Sequence, residues 1–194
     1  SLFKDSPGSL YAAERFGIDP DFGFAIGLGY DPGNLDFEWL TPAYREAPRL
    51  VVPFLGADEI IRGLQARALD PQAKVRWCGP QNPPGHRWAT LGIFDFWSEN
   101  DSNILITEGP GDALTALGHQ TGAILIRGAA LARNGDALST LLAVTHGRRI
   151  ILAGDNDESG LDFNLTLGSK LAAEGRQVHT LQIEQGGDLN DWRA

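Results

Sequence analysis

The chain has 194 residues, of which 42% are hydrophobic and 21% are charged, and its formal net charge is -9. This is the composition of a globular protein with room for one large core or two small domains. Cys78 is the one cysteine, which excludes a disulfide framework and a zinc site built on cysteines. No apolar run has the length of a membrane span and no leader sequence is recognisable, so we expect a soluble, cytoplasmic protein.

The charged residues are unevenly distributed along the chain. Residues 45–87 carry seven basic and four acidic side chains, whereas residues 88–194 carry seven basic and fourteen acidic ones. A net negative charge disfavours nucleic-acid binding, because phosphate contacts depend on Lys and Arg. A basic segment beside an acidic one is nevertheless what a metal-dependent nucleic-acid enzyme would need. A solvated surface of mixed charge explains the same distribution equally well.

The first hundred residues predict a small α+β region. Ser6-Pro7 and Gly17 are typical of the start and the end of a helix, and Asp19-Pro20 begins a second short element. Residues 27–33 predict a turn, because glycine, proline and aspartate are frequent there. Short strands are predicted at residues 49–54, 60–69, 74–78 and 90–94.

The second half of the chain alternates between strand and helix patterns. Such alternation indicates βαβ units and a mainly parallel sheet, so we predict an α/β fold. We place a domain boundary between residues 100 and 101, which gives domains of residues 1–100 and 101–194. The predicted strands cover residues 104–107, 123–127, 149–153 and 177–183, and the predicted helices cover residues 111–119, 135–146 and 159–174.

Carboxylates follow three of these strands. Glu108 and Asp112 come after the first, Asp155 and Asp157 after the third, and Asp188 after the last. Parallel strands end at a shared edge of the sheet, so Glu108, Asp155 and Asp157 are expected to converge there. Converging carboxylates are suitable ligands for a hard divalent cation such as Mg²⁺. The structural alternative is that these aspartates cap helices or lie in solvated turns.

These acidic motifs resemble the Toprim domain that DnaG-type primases share with topoisomerases and some nucleases. Glu108 and Asp112 stand as in the E-G-x-x-D motif of the primases. Residues 155–160, DNDESG, are similar to the D-x-D-x-x-G motif. Residues 188–192, DLNDW, resemble the closing K-D-x-[DN]-[DE] segment, with Gly187 where a lysine is common.

The resemblance continues upstream of the acidic motifs. Residues 27–30, GLGY, are similar to the G-[LI]-G-[YW] turn of primases, and residues 49–54, RLVVPF, resemble the R-[ILV]-x-[FV]-P-[IF] strand. Residues 60–67 resemble the next strand, which ends in a basic residue. Residues 74–77, KVRW, and 91–94, LGIF, stand where primases have a K-[YW] motif and a further strand. The resemblance therefore covers nearly the whole chain in the expected order.

The resemblance implies the catalytic core of a DNA primase, in which a small basic α+β subdomain precedes a Toprim domain with a Rossmann-like sheet. Such a core makes short RNA primers on single-stranded DNA by two-metal nucleotidyl transfer. Glu108, Asp155 and Asp157 would then be the catalytic residues and would hold Mg²⁺ or Mn²⁺. Asp112 and Asp188 would support the same metal site.

The partners implied are single-stranded DNA, ribonucleoside triphosphates, and a replicative helicase or further domains. The family's zinc domain and the helicase P-loop have no counterpart in this sequence, so we expect an isolated core. Two alternatives stay open, namely a Toprim nuclease and a binding module that docks nucleic acid or a partner without polymerising. The basic residues that would contact nucleic acid or nucleotide, unless they form surface salt bridges, are Arg49, Arg62, Arg67, Lys74 and Arg76.

Overall fold

The structure, a computed structural model, describes residues 3–33, 41–82, 84–85, 88–89, 91–96, 103–127, 135–182 and 189. The chain divides into two compact units, Ser1–Ala89 and Thr90–Ala194. Within the described ranges, no helix is both long enough and apolar enough to cross a membrane.

The first unit is an antiparallel sheet with helices packed against it. Its strands are ordered β1-β2-β3-β4, and α1 packs on β1 and β2. Leu50, Val52 and Phe54 alternate along β2 and are fully buried, as a period-two pattern requires. The elements are α1 (Pro7–Phe16), α2 (Pro20–Ala25), β1 (Gly29–Asp31), a 3-10 helix (Pro42–Glu46), β2 (Arg49–Leu55), β3 (Ile61–Ala68) and β4 (Trp77–Cys78).

Helix α1 begins and ends where the sequence predicts. The Ser6 hydroxyl accepts a hydrogen bond from the Ser9 amide at 3.2 Å, and Gly17 ends the helix in the left-handed region at φ 72°. The turn predicted at residues 27–33 is wrong in part. Gly29–Asp31 is extended because it pairs with β2, with Gly29 opposite Val51. The strand predicted at residues 74–78 is shorter than expected and covers Trp77–Cys78 alone.

The second unit confirms the predicted alternation of strand and helix. Its strands are ordered β5-β7-β6-β8-β9, and neighbours are parallel except for β5 and β7. The apolar residues of β6, β7 and β8 form its core together with the inner face of α5. The elements are β5 (Leu91–Phe94), β6 (Asn103–Thr107), α3 (Pro110–Gly118), β7 (Ala123–Ile126), α4 (Gly135–Val144), β8 (Arg149–Ala153), α5 (Glu158–Ala173) and β9 (Val178–Thr180).

Strand β5 is the element that the sequence analysis grouped differently. Leu91–Phe94 was predicted within residues 1–100, but it pairs antiparallel with β7, so that Ile93 lies opposite Ile124. Ile93 belongs to the core of the second unit. A short apolar strand carries no information about which sheet it joins, and here the compact units divide at residues 89 and 90.

The chain reverses its direction of winding at β6. Helix α3 connects β6 to β7, which lies on one side of β6 in the sheet. Helix α4 then connects β7 to β8, which lies on the other side of β6. Such a topological switch point leaves a crevice beyond the carboxyl ends of the two strands that flank it, and α/β proteins bind ligands in that crevice. In this unit the crevice lies beyond the ends of β6 and β8.

Candidate active site

The strand register brings the two acidic motifs to one place. Thr107, the last residue of β6, lies directly opposite Ala153, the last residue of β8. Glu108 and Gly154 therefore leave the sheet side by side, and Asp155 follows one residue later. This arrangement places the motifs around Glu108 and Asp155 at the switch-point crevice, as the sequence predicts for parallel strands.

A hydrogen bond joins the two sides of the crevice. The Ser159 hydroxyl, in the first turn of α5, donates to Oε1 of Glu108 at 3.2 Å. The other carboxylate oxygen of Glu108, Oε2, is buried and has no hydrogen-bond partner within the described part of the chain. A buried carboxylate oxygen without a donor is costly, and a bound cation would satisfy it. Glu108 thus fits the role of a metal ligand.

Asp157 has a second role that the sequence analysis considered as an alternative. It is the N-cap of α5, and its Oδ1 accepts a hydrogen bond from the Gly160 amide at 2.8 Å. Such a cap satisfies one of the free amides of the first helical turn. Oδ1 is therefore engaged by the helix, which leaves Oδ2 as the oxygen available to a ligand.

Close backbone packing fixes the loop between β8 and α5. A Cβ atom at Gly160 would lie 2.0 Å from the Asp155 carbonyl oxygen, and one at Gly154 would lie 2.4 Å from the Gly160 carbonyl oxygen. Neither distance is possible between real atoms, so both positions require glycine. The buried Asn164 side chain, on α5, accepts a hydrogen bond from the Gly154 amide at 3.0 Å. The loop that carries Asp155 and Asp157 is thus anchored at both ends.

The two remaining predicted metal ligands are Asp112 and Asp188. Asp112 is buried in the first turn of α3, where the helix dipole favours a carboxylate. Asp188 lies outside the described residues. Among the residues that the structure describes, no group of three or more His, Cys, Asp or Glu side chains stands in a position to hold a metal ion. A shared site for Glu108, Asp155 and Asp157, supported by Asp112 and Asp188, stays a prediction.

Two of the five predicted phosphate-binding residues are buried in the first unit. Arg49 is fully buried, its Nη1 donates to the Val75 carbonyl oxygen at 3.2 Å, and its guanidinium lies 5.7 Å from the Tyr44 ring centroid. Arg67 is 7% exposed, and its Nε donates to the Tyr11 hydroxyl at 2.7 Å. These contacts are typical of arginines that stabilise a fold.

The other three predicted phosphate-binding residues are exposed. Arg62 forms an ion pair with Asp58, and the hydrogen bond from Arg62 lowers the pKa of the Asp58 carboxyl. Lys74 and Arg76 lie at the surface next to β4. Exposed ion pairs contribute little to stability, so Arg62 can exchange its partner for a phosphate at small cost.

The sequence analysis missed Ser159 and Asn164. A serine in the first turn of a helix gives no signal that distinguishes a carboxylate partner from solvent. Asn164 does leave a signal, because it lies on the inner face of α5 beside Phe163, where the other buried side chains of the helix are apolar. A buried amide at such a position is expected to have a specific partner.

Comparison with known proteins supports the architecture. Residues 103–194 match the family model described as Toprim domain. A comparison with curated protein sequences finds no match. The match lies within the second unit and includes every acidic motif described above.

Solved structures of several primase cores have a similar fold. The zinc-binding and RNA polymerase domains of the Aquifex aeolicus primase match 99% of this chain, with a TM-score of 0.71 and 17% identity. The DnaG primase catalytic domain bound to single-stranded DNA matches 97%, with a TM-score of 0.70 and 14% identity. The primase fragment of the bacteriophage T7 primase-helicase matches 92%, with a TM-score of 0.64 and 18% identity. The chain has the fold of a Toprim primase catalytic core.

The match extends over only part of these relatives. The chain spans 53% of the Aquifex aeolicus structure, 68% of the DnaG domain and 66% of the T7 fragment. Both units of this chain are included, since each match covers more than nine tenths of it.

Proposed function

We propose that this chain is the catalytic core of a DNA primase, which makes short RNA primers on single-stranded DNA by nucleotidyl transfer. The observation that carries this proposal is the buried Oε2 of Glu108, which has no hydrogen-bond partner among the described residues, at the switch point of a Toprim-like sheet. The match of both units to primase cores supports it further, because a Toprim domain alone would be equally compatible with a nuclease.

In this proposal Glu108, Asp155 and Asp157 hold a divalent cation, Mg²⁺ or Mn²⁺, and Asp112 and Asp188 support the site. The bound cation would lower the pKa of the primer 3′-hydroxyl and offset the negative charge that develops on the triphosphate. Ser159 would keep Glu108 in place through the hydrogen bond to Oε1.

The first unit would supply contacts to template or nucleotide phosphates. The exposed side chains of Arg62, Lys74 and Arg76 are suited to direct contacts, since guanidinium and ammonium groups bind phosphate oxygens strongly. Arg49 and Arg67 would act from within the fold by keeping β2 and β3 in place. Single-stranded DNA, ribonucleoside triphosphates and a replicative helicase or further domains are the proposed partners.

Primer synthesis on single-stranded DNA tests the proposal directly. The assay uses labelled ribonucleoside triphosphates with Mg²⁺ and then Mn²⁺, and compares the wild type with Glu108→Gln and Asp155→Asn. We expect short RNA products from the wild type and a loss of at least about a hundredfold in each variant, because each substitution removes a carboxylate ligand. A matched control is Asp136→Asn, which removes an exposed carboxylate in the first turn of α4.

The other outcomes distinguish the alternatives. Cleavage of the DNA without triphosphates, lost in Glu108→Gln but kept in Asp136→Asn, would identify a Toprim nuclease. Binding of single-stranded DNA with neither activity, even when the further domains of a longer primase are added, would identify a binding module. Primer synthesis that survives both Glu108→Gln and Asp155→Asn would contradict the proposed metal site.

A further inference from the structure

A cavity lined by arginines lies at the end of the second unit's sheet that is opposite the carboxylates. It lies at the amino ends of β8 and β9, about one strand length, roughly 16 Å, from the carboxylates. The lining that the structure describes contributes three guanidinium groups, one amide and no carboxylate. The cavity has a volume of about 470 Å³ and is lined by Gly147, Arg148, Arg149, Gly175, Arg176 and Gln177.

This local charge is opposite in sign to that of the surrounding sequence. Residues 88–194 contain seven basic and fourteen acidic side chains, and three of those seven basic side chains line this one cavity. Part of the positive charge is offset by the carboxyl ends of α4 and α5, which carry partial negative charge. Asp95, which forms an ion pair with Arg148, offsets one further charge. Two guanidinium charges remain without a carboxylate partner in the described lining.

Hydrogen bonds hold the three guanidinium groups in position. Nη2 of Arg148 donates to the backbone carbonyl oxygen of Asn103 at 2.7 Å, and Nε of Arg149 donates to the side-chain oxygen of the same Asn103 at 2.6 Å. Nη2 of Arg176 donates to the Leu142 carbonyl oxygen at 2.6 Å. The arginines are thus oriented before any ligand arrives, which reduces the entropy that binding would cost.

Donors remain unused beside this cavity. The Nε atoms of Arg148 and Arg176 are both buried and have no acceptor within the described residues. A buried guanidinium N–H without an acceptor is unfavourable, and a nearby anion would stabilise it through charge. Direct contacts of such an anion would be with the exposed side chains of Arg149 and Gln177. Gly147 and Gly175 leave open space, since a Cβ atom at either would meet no atom of the described residues within 4 Å.

We infer that this cavity is an anion site, separate from the carboxylate site, and that it binds phosphate groups without a metal ion. Guanidinium groups match phosphate oxygens in charge and geometry. No aromatic side chain is among the described residues that line the cavity, so stacking on a base does not contribute and the phosphates themselves are recognised. The phosphates can belong to a free nucleoside polyphosphate or to a nucleic-acid backbone. The inference concerns residues other than the proposed catalytic carboxylates and does not depend on primase activity.

Calorimetric titration with inorganic tripolyphosphate tests the site in EDTA, which prevents any metal-dependent binding at the carboxylates. Arg149→Gln removes an exposed guanidinium, and Gln177→Glu places a carboxylate in the lining at nearly constant volume. We expect each to weaken binding by about tenfold. Gln120→Glu is the matched control, because it makes the same change at an exposed residue just after α3, outside the cavity. It should alter affinity by less than about twofold.

A second titration identifies the source of the phosphates. Fluorescence anisotropy of a labelled oligothymidylate in EDTA is compared for the same variants. If Arg149→Gln weakens both ligands, the site binds a nucleic-acid backbone, and if it weakens tripolyphosphate alone, the site binds a free polyphosphate. Failure of the wild type to bind tripolyphosphate, or equal loss in Gln120→Glu, would overturn the inference. Glu108→Gln should bind tripolyphosphate like the wild type, whether or not the primase proposal holds.

Discussion

The Ser159 hydroxyl donates a hydrogen bond to Oε1 of Glu108 at 3.2 Å and so ties the first turn of α5 to the end of β6. The two residues belong to different acidic motifs, and the bond spans the switch-point crevice between them. It leaves Oε2 of Glu108 buried and without a partner in the described part of the chain. Ser159 is therefore a positioning residue for the proposed metal ligand.

Ser159→Ala should weaken metal binding without changing the fold. Groups that orient a metal ligand typically contribute about tenfold or more in affinity, so we expect the half-saturating Mn²⁺ concentration to rise roughly tenfold. Electron paramagnetic resonance of Mn²⁺ measures this change without an activity assay. Ser159→Thr keeps the hydroxyl and should restore most of the affinity. An unchanged Mn²⁺ titration in Ser159→Ala would show that the hydrogen bond does not position Glu108.

Substitutions of Asp157 should separate its capping role from metal binding. Asn is as good an N-cap as Asp, so Asp157→Asn should keep the free energy of unfolding within about 0.5 kcal/mol of the wild type. Asp157→Ala also loses the cap and should cost about 1 kcal/mol. Both variants should lose primer synthesis, because both lose the carboxylate. Urea unfolding and the primer assay, run on the same preparations, give the two quantities. Full activity in Asp157→Asn would leave this residue with a capping role alone.

A methyl group at Gly160 should displace the loop that carries Asp155 and Asp157. The added Cβ would lie 2.0 Å from the Asp155 carbonyl oxygen, and backbone atoms cannot yield by so much without moving the loop. We therefore expect Gly160→Ala to lose primer synthesis and Mn²⁺ binding and to be destabilised by about 2 kcal/mol or more. At Gly135, where α4 begins, a Cβ meets none of the described residues within 4 Å, so Gly135→Ala is the control that should keep both properties. Wild-type Mn²⁺ binding in Gly160→Ala would contradict the packing described.

Much of the architecture follows from sequence pattern. The alternation of strands and helices predicts the parallel sheet, and the register that sets Thr107 opposite Ala153 explains how two distant motifs reach one crevice. Sequence pattern allowed two roles for the same side chain but could not decide between them. Asp157 is suited both to capping a helix and to binding a metal ion, and only the structure shows, through the hydrogen bond that the Gly160 amide donates to its Oδ1, that it caps α5.

The basic residues show a second limit of sequence pattern. Arg49 and Arg67 have the same side chain as Arg62 and lie on the same two strands, yet the first two are buried and the third is exposed. Burial depends on what covers each position. Tyr44, from the 3-10 helix, lies beside Arg49, and Trp77 lies beside Arg67. Those are tertiary contacts, which periodicity along one strand does not specify.

Arg67 and Arg62 should respond differently to the same substitution. Arg67 donates to the Tyr11 hydroxyl and lies 5.3 Å from the Trp77 ring centroid, so Arg67→Ala should lower the free energy of unfolding by about 2–3 kcal/mol. Arg62→Ala should change it by less than about 0.5 kcal/mol. If Arg62 contacts phosphate, its loss should also reduce the slope of log affinity against log salt for single-stranded DNA by about 1. Equal stability of the two variants would contradict the buried role of Arg67.

The single thiol should be unreactive in the folded chain. Burial raises the pKa of the Cys78 thiol from its ordinary value of 9.0 to about 11, although the nearby Arg49 guanidinium partly opposes the shift. The thiolate is the reactive form, so iodoacetamide at pH 8 should modify the native protein far more slowly than the urea-unfolded protein. Because Cys78 is the only cysteine, mass spectrometry of the intact chain measures the reaction directly.

The same shift predicts how stability depends on pH. As the pH rises above 9, the unfolded chain loses the Cys78 proton while the folded chain keeps it until about pH 11. The unfolded state then binds fewer protons than the native state, so the free energy of unfolding falls with rising pH. Burial also raises the pKa of Tyr44, which adds to the fall in the same direction. Cys78→Ala removes one of the two contributions, and urea unfolding at pH 7, 9 and 10 should show a smaller decrease than in the wild type. Identical decreases in the two proteins would mean that the thiol titrates alike in the folded and unfolded chains.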